Sequence, residues 1–299
     1  MAGIISRFAP APTGFLHLGH VVNAIYVWGM VRRRGGRVLL RIEDHDAIRS
    51  RPAFEAAILD DLQWLGFTSD EPMVRQSERG DIYVQALSEL RQRGLVYACD
   101  CSRATIAQAS RSVDSPRGLS DDLDPVNAIG EVWYPGLCRD RHLAERPGVG
   151  MRVRLDPVVE RFVDLRHGSI EQRPYEQCGD LLVRDRDGNW TYQFAAAVDD
   201  DRQGVTLVIR GDDLLASTGR QMQIARLLGR AEPAEFFHHA LVMKSPTQKL
   251  SKSDGDTGVR DLRAAGWSAE QVIGRAAALA GLIAPERPVA ADEVADLVP

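Results

Sequence analysis

Apolar and polar positions follow two different periods along the first hundred residues. Ile4 to Phe8 reads as a short strand, and from Leu18 to Arg34 apolar residues recur at Val21, Val22, Ile25, Val27, Trp28 and Val31, the spacing of one helical face. Gly35-Gly36 closes that helix, and Arg37 to Ile42 predicts a second strand. Pro52 opens a helix over 52–65 that stops at Gly66, and a further helix over 80–93 stops at Gly94. Strand and helix in alternation predict an α/β fold with a parallel, Rossmann-like sheet and right-handed crossovers.

Near residue 96 the alternation stops. Residues 104–131 are polar and irregular, and Ser110 to Asp124, rich in Ser, Asp, Pro and Gly, predicts a mobile surface loop. Met151 to Leu165 alternates as strands do, and Leu181 to Arg184 is joined to Trp190-Thr191-Tyr192 through a turn at Asp185–Asn189. Gln193 to Val198 reads as helix, Val205 to Arg210 as a buried strand, and Gly266 to Pro299 as helical. No internal repeat is visible. The expected organisation is a discontinuous Rossmann-like domain over 1–95 and 180–253, an inserted subdomain over 96–179, and a short helical C-terminal segment over 254–299.

Composition narrows the class. A chain of 299 residues with 44% hydrophobic and 26% charged residues can bury a full core. The N-terminus shows neither a signal peptide nor a myristoylation pattern, and the longest apolar run, Ala276 to Ala284, is too short to span a bilayer. Four cysteines, two of them in Cys99-Asp100-Cys101, do not form a secreted disulfide framework. A cytoplasmic enzyme is expected. The net charge of −5 argues against a nonspecific nucleic-acid binder, yet basic clusters stand at Arg32-Arg33-Arg34, at Arg49 with Arg51, and from Arg139 to Arg146. These read either as solvated faces or as local patches for a phosphate backbone.

One bias is sharper. Of the 37 basic residues only three are lysines, Lys244, Lys249 and Lys252, all inside "KSPTQKLSK". Lys is a compact, flexible point charge suited to a moving phosphate, whereas Arg is a rigid planar fork. A second oddity is "RFAPAPTGFLHLGH" at 7–20, which spans the turn from the first strand to the first helix, where backbone amides and the helix dipole face an anion. His17 and His20 there read either as donors to phosphate or as capping and core residues.

These two stretches, with "RIED" at 41–44 and "TYQFAAAVDDDRQGVTLVIRGDDLLAST" at 191–218, resemble in order the class I glutamyl-tRNA synthetases, over about residues 4–100 and 150–260. The first stretch looks like their HIGH motif and "KLSKS" at 249–253 like their KMSKS motif. The resemblance implies a class I catalytic domain that uses ATP with Mg2+. His17, His20, Lys249 and Lys252 would then carry catalysis, and His17, Gly19, His20 and Lys252 would hold ATP. Glutamate would lie against Arg7, Phe8, Ala9, Pro10, Ala11, Glu43, Tyr192 and Arg210. The chemistry agrees, since an acidic amino acid needs cations for its distal carboxylate and an anion for its amine. Arg210 has a second reading, a surface ion pair with Asp212 or Asp213. Ala11 departs from the family's usual serine in "APSPTG".

Within that family, the glutamyl-Q tRNA(Asp) synthetases resemble this chain at Cys99-x-Cys101 and Tyr134-x-x-x-Cys138. The resemblance implies one structural zinc on Cys99, Cys101, Tyr134 and Cys138, with His142 and Cys178 in reserve. The gap from Cys101 to Tyr134 is longer than in that subgroup, and the alternative is reduced cysteines with Tyr134 merely packed. Beyond "KLSKS" stand 46 residues, from Asp254 to Pro299, where full glutamyl-tRNA synthetases continue into a helical domain that reads the anticodon. The expected activity is transfer of glutamate to queuosine in the anticodon loop of tRNA(Asp), by a monomer, with Arg49 and Arg51 near the RNA backbone. The rivals are a shortened ligase charging tRNA(Glu), a nucleotidyltransferase acting on another small acid, and a silent tRNA-binding paralogue.

Overall fold

The computed structural model describes residues 3–46, 48–112, 132–245, 248–249 and 258–299, with backbone alone at 112, 243–245 and 248–249. In chain order the elements are β1 (Ile5–Phe8), α1 (Leu18–Arg33), β2 (Arg37–Ile42), α2 (Pro52–Leu65), β3 (Val74–Arg75), α3 (Gly80–Gln92), β4 (Val96–Cys99) and α4 (Arg103–Ser112). They continue with β5 (Gly150–Val153), β6 (Glu160–Asp164), β7 (Gly168–Gln172), α5 (Pro174–Cys178), β8 (Leu181–Arg184), α6 (Tyr192–Arg202) and β9 (Leu207–Gly211). The last are α7 (Thr218–Leu227), β10 (Glu235–His239), β11 (Met243–Ser245), β12 (Gln248–Lys249), α8 (Val259–Ala264) and α9 (Ala269–Leu279). Among the described residues no helix is long and apolar enough to cross a membrane.

Packing divides the chain into two compact units. The first comprises Met1–Glu78, Gly204–Asp213 and Ala234–Pro299. Its strands are parallel, as the sequence predicts: β1 pairs with β2, β2 with β3, and β9 with β10. Thr206 ties β9 to β1, its hydroxyl accepting the Ile5 amide at 2.9 Å and its own amide donating to the Ile5 carbonyl at 2.8 Å. Helix α1 is enclosed on most sides, with Val22, Ile25, Val27 and Val31 fully buried. Gly29 explains one of those sides, because a Cβ there would stand 2.7 Å from the Val294 carbonyl. The C-terminal stretch is thus part of this core, contributing Val272, Ile273, Val289, Val294 and Val298. Among the described residues it is helical only in α8, α9 and a short turn at Glu293–Asp296. Pro285 and Pro288 lack the amide hydrogens that a continuing helix needs.

The second unit comprises Arg79–Gln203 and Leu214–Pro233. An antiparallel sheet in the order β4-β5-β8 and the β6–β7 hairpin stand with α3, α6 and α7, whose Leu87, Leu90, Phe194, Val198 and Ile224 close its core. These packing boundaries differ from the expected domain boundaries, since α3 and α6 bury apolar residues in this unit's core. Asp199, from the acidic run at 199–201, is fully buried and accepts from Arg79 Nε at 2.6 Å and from the Tyr83 hydroxyl at 2.8 Å.

Two local expectations change. Residues 104–112, read as irregular, are the helix α4, held at its start by the Ser102 hydroxyl accepting the Thr105 amide at 3.0 Å. Its Ile106 packs beside Tyr97, Cys99, Tyr134 and Cys138, support that a polar pattern does not reveal. Residues 113–131, which hold most of the expected mobile loop, lie outside the described residues. The basic clusters are laced to acids: Arg32 to Asp70 and Arg34 to Glu235 at 2.7 Å, Arg49 to Asp46 at 2.6 Å, and Arg141 to Asp100 at 3.1 Å. That favours solvated, paired faces over bare phosphate patches, and such exposed pairs add little stability.

Candidate active site and metal centre

The turn between β1 and α1 is built as a helix cap. His17 is extended, with φ −133° and ψ 172°, and its Nδ1 accepts the Gly19 amide at 3.1 Å. The His17 amide donates to Nδ1 of His20 at 3.1 Å, and the two rings lie 4.0 Å apart, tilted by 48°. Because both Nδ1 atoms accept, a neutral imidazole at either position carries its proton on Nε2. Capping thus uses Nδ1 of each ring and puts the proton of a neutral ring on Nε2. A Cβ on Gly19 would come within 2.9 Å of His17 Cε1, so this position keeps the cap as well as the approach to it. No acidic residue occupies the first turn of α1, and the positive end of its dipole keeps its field. The chain returns beside this turn: Gly258 bridges His17, and the Val259 amide donates to the Leu16 carbonyl at 3.0 Å. Lys249 ends β12, paired with Met243 of β11, and Lys252 lies outside the described residues.

Arg7 on β1 and Arg210 on β9 are each 4% exposed, so Arg210 is a buried cation and not a surface one. Arg7 Nη1 donates to the Ile209 carbonyl at 3.3 Å, and Arg210 Nε donates to His238 Nε2, directly across on β10, at 3.0 Å. Glu43 follows β2, is buried, accepts from Arg41 Nη2 at 3.3 Å, and donates its amide to the Pro10 carbonyl at 3.1 Å. Its loop is pinned next door, where Asp44 accepts from the Ser77 amide at 2.8 Å. Arg7, Pro10, Glu43 and Arg210 thus gather in the first unit at the carboxyl ends of parallel strands, where open α/β sheets hold ligands. Buried charges are costly unless something matches them. Ala9 and Ala11 are half-buried beside Pro10, but the Phe8 ring is core, 5.3 Å from Trp28, and offers a ligand only its main chain. Tyr192 opens α6 in the second unit.

The second unit also holds the cysteines. Cys99 closes β4, and the sulfurs of Cys99, Cys101 and Cys138 lie within 4.8 Å of one another, with Cys101 and Cys138 3.4 Å apart. A tetrahedral zinc with Zn–S bonds of about 2.3 Å sets its sulfurs about 3.8 Å apart. The Tyr134 hydroxyl lies 3.5 Å from Cys99 Sγ and accepts the Cys138 amide at 2.8 Å. Four soft or oxygen donors converge, and the set fits a metal ion. The long stretch from Cys101 to Tyr134 does not separate its two halves. Cys178 is engaged elsewhere, donating to the Pro174 carbonyl at 3.2 Å, and neither it nor the exposed His142 belongs to the cluster. Burial alone would raise the Cys99 thiol, but hydrogen bonds from Tyr134 and Arg152 outweigh it and hold that thiol below the ordinary range. Cys101, with burial and Cys138 acting together, is pushed up to about 12.

Residues 3–282 match the family described as tRNA synthetases class I (E and Q), catalytic domain. The chain belongs to this family. Among curated relatives, the Glutamyl-Q tRNA(Asp) synthetase of Rhodobacter capsulatus is 40% identical over 89% of this chain and 96% of its own length. The protein of that name from Symbiobacterium thermophilum is 40% identical over 97% of this chain and 91% of itself. Among solved structures, a glutamate tRNA ligase from Elizabethkingia meningosepticum, in complex with its amino acid, superposes with a TM-score of 0.77 at 27% identity. The match covers 98% of this chain and 64% of that ligase.

As a class I synthetase the chain has the expected α/β architecture with its parallel sheet. Sequence reasoning missed His238, which accepts from the candidate residue Arg210 across the sheet, and Asp44, which pins the loop of the candidate residue Glu43. "RIED" contained Asp44, and the pair His238-His239 was visible, yet neither reveals its partner without the fold.

Proposed function

We propose that this synthetase activates L-glutamate with ATP and transfers the glutamyl group to queuosine in the anticodon loop of tRNA(Asp), as a monomer in the cytoplasm. The amino-acid half rests on the buried set Arg7, Glu43 and Arg210 at the carboxyl ends of β1, β2 and β9. Two guanidinium groups suit a distal carboxylate, and Glu43 suits the α-ammonium. The acceptor half is supported by relatives about 40% identical that carry the glutamyl-Q tRNA(Asp) name.

Activation needs no protein nucleophile. The substrate carboxylate attacks the α-phosphorus of ATP, pyrophosphate leaves, and the protein positions the reactants and stabilises the charge that develops. His17 and His20 donate from Nε2 to phosphate oxygens, Gly19 lets the nucleotide approach the backbone, and Lys249 and Lys252 serve the departing pyrophosphate. Mg2+ bound with ATP would supply further positive charge to the phosphates. The reading is tested by comparing transfer of labelled glutamate to tRNA(Asp) with queuosine, to tRNA(Asp) without it, and to tRNA(Glu). Labelling confined to the first is expected. Equal labelling of the second, or efficient charging of the third, overturns the acceptor assignment.

The metal of the second unit is zinc, held by Cys99, Cys101, Tyr134 and Cys138, and its role is structural because closed four-ligand sites leave no open position. Wild-type protein prepared without chelator is expected to carry one zinc per chain. The double variant Cys101→Ser with Cys138→Ser is expected to carry well under one and to melt at a lower temperature, since binding energy at such a site is folding energy. Elemental analysis and a thermal scan read both, and equal metal content in the two proteins would remove the site.

A further inference from the structure

Arg152 has no place in the activation chemistry, yet it is 7% exposed and aimed at the cysteine cluster. It sits on β5, the central strand of its sheet, opposite Tyr97 of β4 and Leu182 of β8, a rigid base for a long side chain. From there its Nε donates to Cys99 Sγ at 3.4 Å and its Nη1 to the Asp180 carbonyl at 2.7 Å. The guanidinium carbon lies 3.6 Å over the Tyr134 ring. One buried cation thus touches two of the four candidate metal ligands, by a charge-assisted hydrogen bond to one and by its face to the other.

The charge count explains why such a group is wanted. A divalent ion among three thiolates and a phenol oxygen leaves surplus negative charge in a buried place, where uncompensated charge is most expensive. Arg141 also reaches Cys138 Sγ, at 3.6 Å, but it is half exposed and already paired with Asp100 at 3.1 Å. Asp100 adds a further negative charge, with an oxygen 3.3 Å from Cys138 Sγ. Arg152 is thus a buried cation placed against this surplus, and it covers the face of the Tyr134 ring whose hydroxyl accepts the Cys138 amide.

Resting on the zinc reading above, we propose that Arg152 is a positioning residue for the metal centre: it balances the charge of the ligand set and orients Cys99 and Tyr134, which makes tyrosine serviceable as a fourth ligand. Groups of this kind behind metal ligands typically govern affinity by about 10–100-fold.

The test uses the full chain. Zinc affinity is measured by competition with a chromophoric chelator, and cobalt is bound in place of zinc to read its thiolate charge-transfer band. Arg152→Met is expected to weaken zinc by about 10–100-fold and to change the cobalt band. Arg152→Lys, which keeps the charge, is expected to recover most of the affinity. Arg152→Gln retains a donor for the Asp180 carbonyl without charge and serves as the second neutral variant if methionine prevents folding. A folded neutral variant that binds zinc as tightly as wild type, with the same cobalt band, overturns the proposal and leaves Arg152 a strut whose loss lowers only the melting temperature of the metal-free protein. A wild-type chain that binds no zinc overturns the metal-centre reading itself, and this proposal with it.

Discussion

Replacing Lys252 with alanine is expected to lower ATP–pyrophosphate exchange in the presence of glutamate by about two to three orders of magnitude, the usual cost of removing one group aimed at transition-state charge. The loss should fall on kcat more than on KM for ATP, because the proposed role of the ammonium is on charge that grows as pyrophosphate leaves and is little developed in the ground state. Lys252 lies outside the described residues, and the described core of the first unit does not draw on it. Its removal should leave the far-ultraviolet circular dichroism and the melting temperature unchanged. Lys252→Arg should recover only part of the rate, since a planar fork does not follow a moving phosphate as an ammonium does. Near-normal turnover of Lys252→Ala at saturating ATP would take this residue out of the mechanism.

Arg210→Ala is expected to raise KM for glutamate by about two to three orders of magnitude, as truncating one partner of a buried, charged hydrogen-bonded pair costs about 2–5 kcal/mol. KM for ATP should move far less. The asymmetry follows from geometry: Arg210 is 4% exposed and held at Nε by His238, whereas the candidate phosphate donors belong to the start of α1. Exchange assays titrated separately in glutamate and in ATP give the two values. Equal increases would show that Arg210 supports the fold and not the amino-acid pocket.

Where the signals are local, the sequence made the elements plain. Pro52 and Gly66 bound α2 at 52–65, and the apolar face of α1 sets that helix almost to the residue. Elements defined by distant partners were not legible. β10 is a strand because it lies beside β9, and "EFFHH" alone does not alternate. α7 reads as polar because Gln221 and Gln223 are buried on it, their amides donating to Gln193 Oε1 at 2.8 Å and to the Asp156 carbonyl at 3.0 Å. The site divides in the same way. His17, Gly19 and His20 stand within one short stretch, and the three lysines within another, so each motif announces itself locally. His238 meets Arg210 across 28 positions of chain and Arg152 meets Cys99 across 53, spacings that carry no periodicity.

In the proposed mechanism each histidine ring at the start of α1 has two employments, one nitrogen for the helix, as observed, and one for the nucleotide. Structure and chemistry are therefore fused in a single side chain, and an alanine at position 17 would confound them. They can be separated atom by atom. Asparagine, among the best helix caps, reproduces the acceptor of Nδ1 but is too short to present a donor where Nε2 stands. Glutamine reaches the outer position but caps poorly. A chain with His17→Asn would keep its first helix and lose its reach toward phosphate, becoming a folded but inert version of itself, a form in which substrate binding could be watched without turnover.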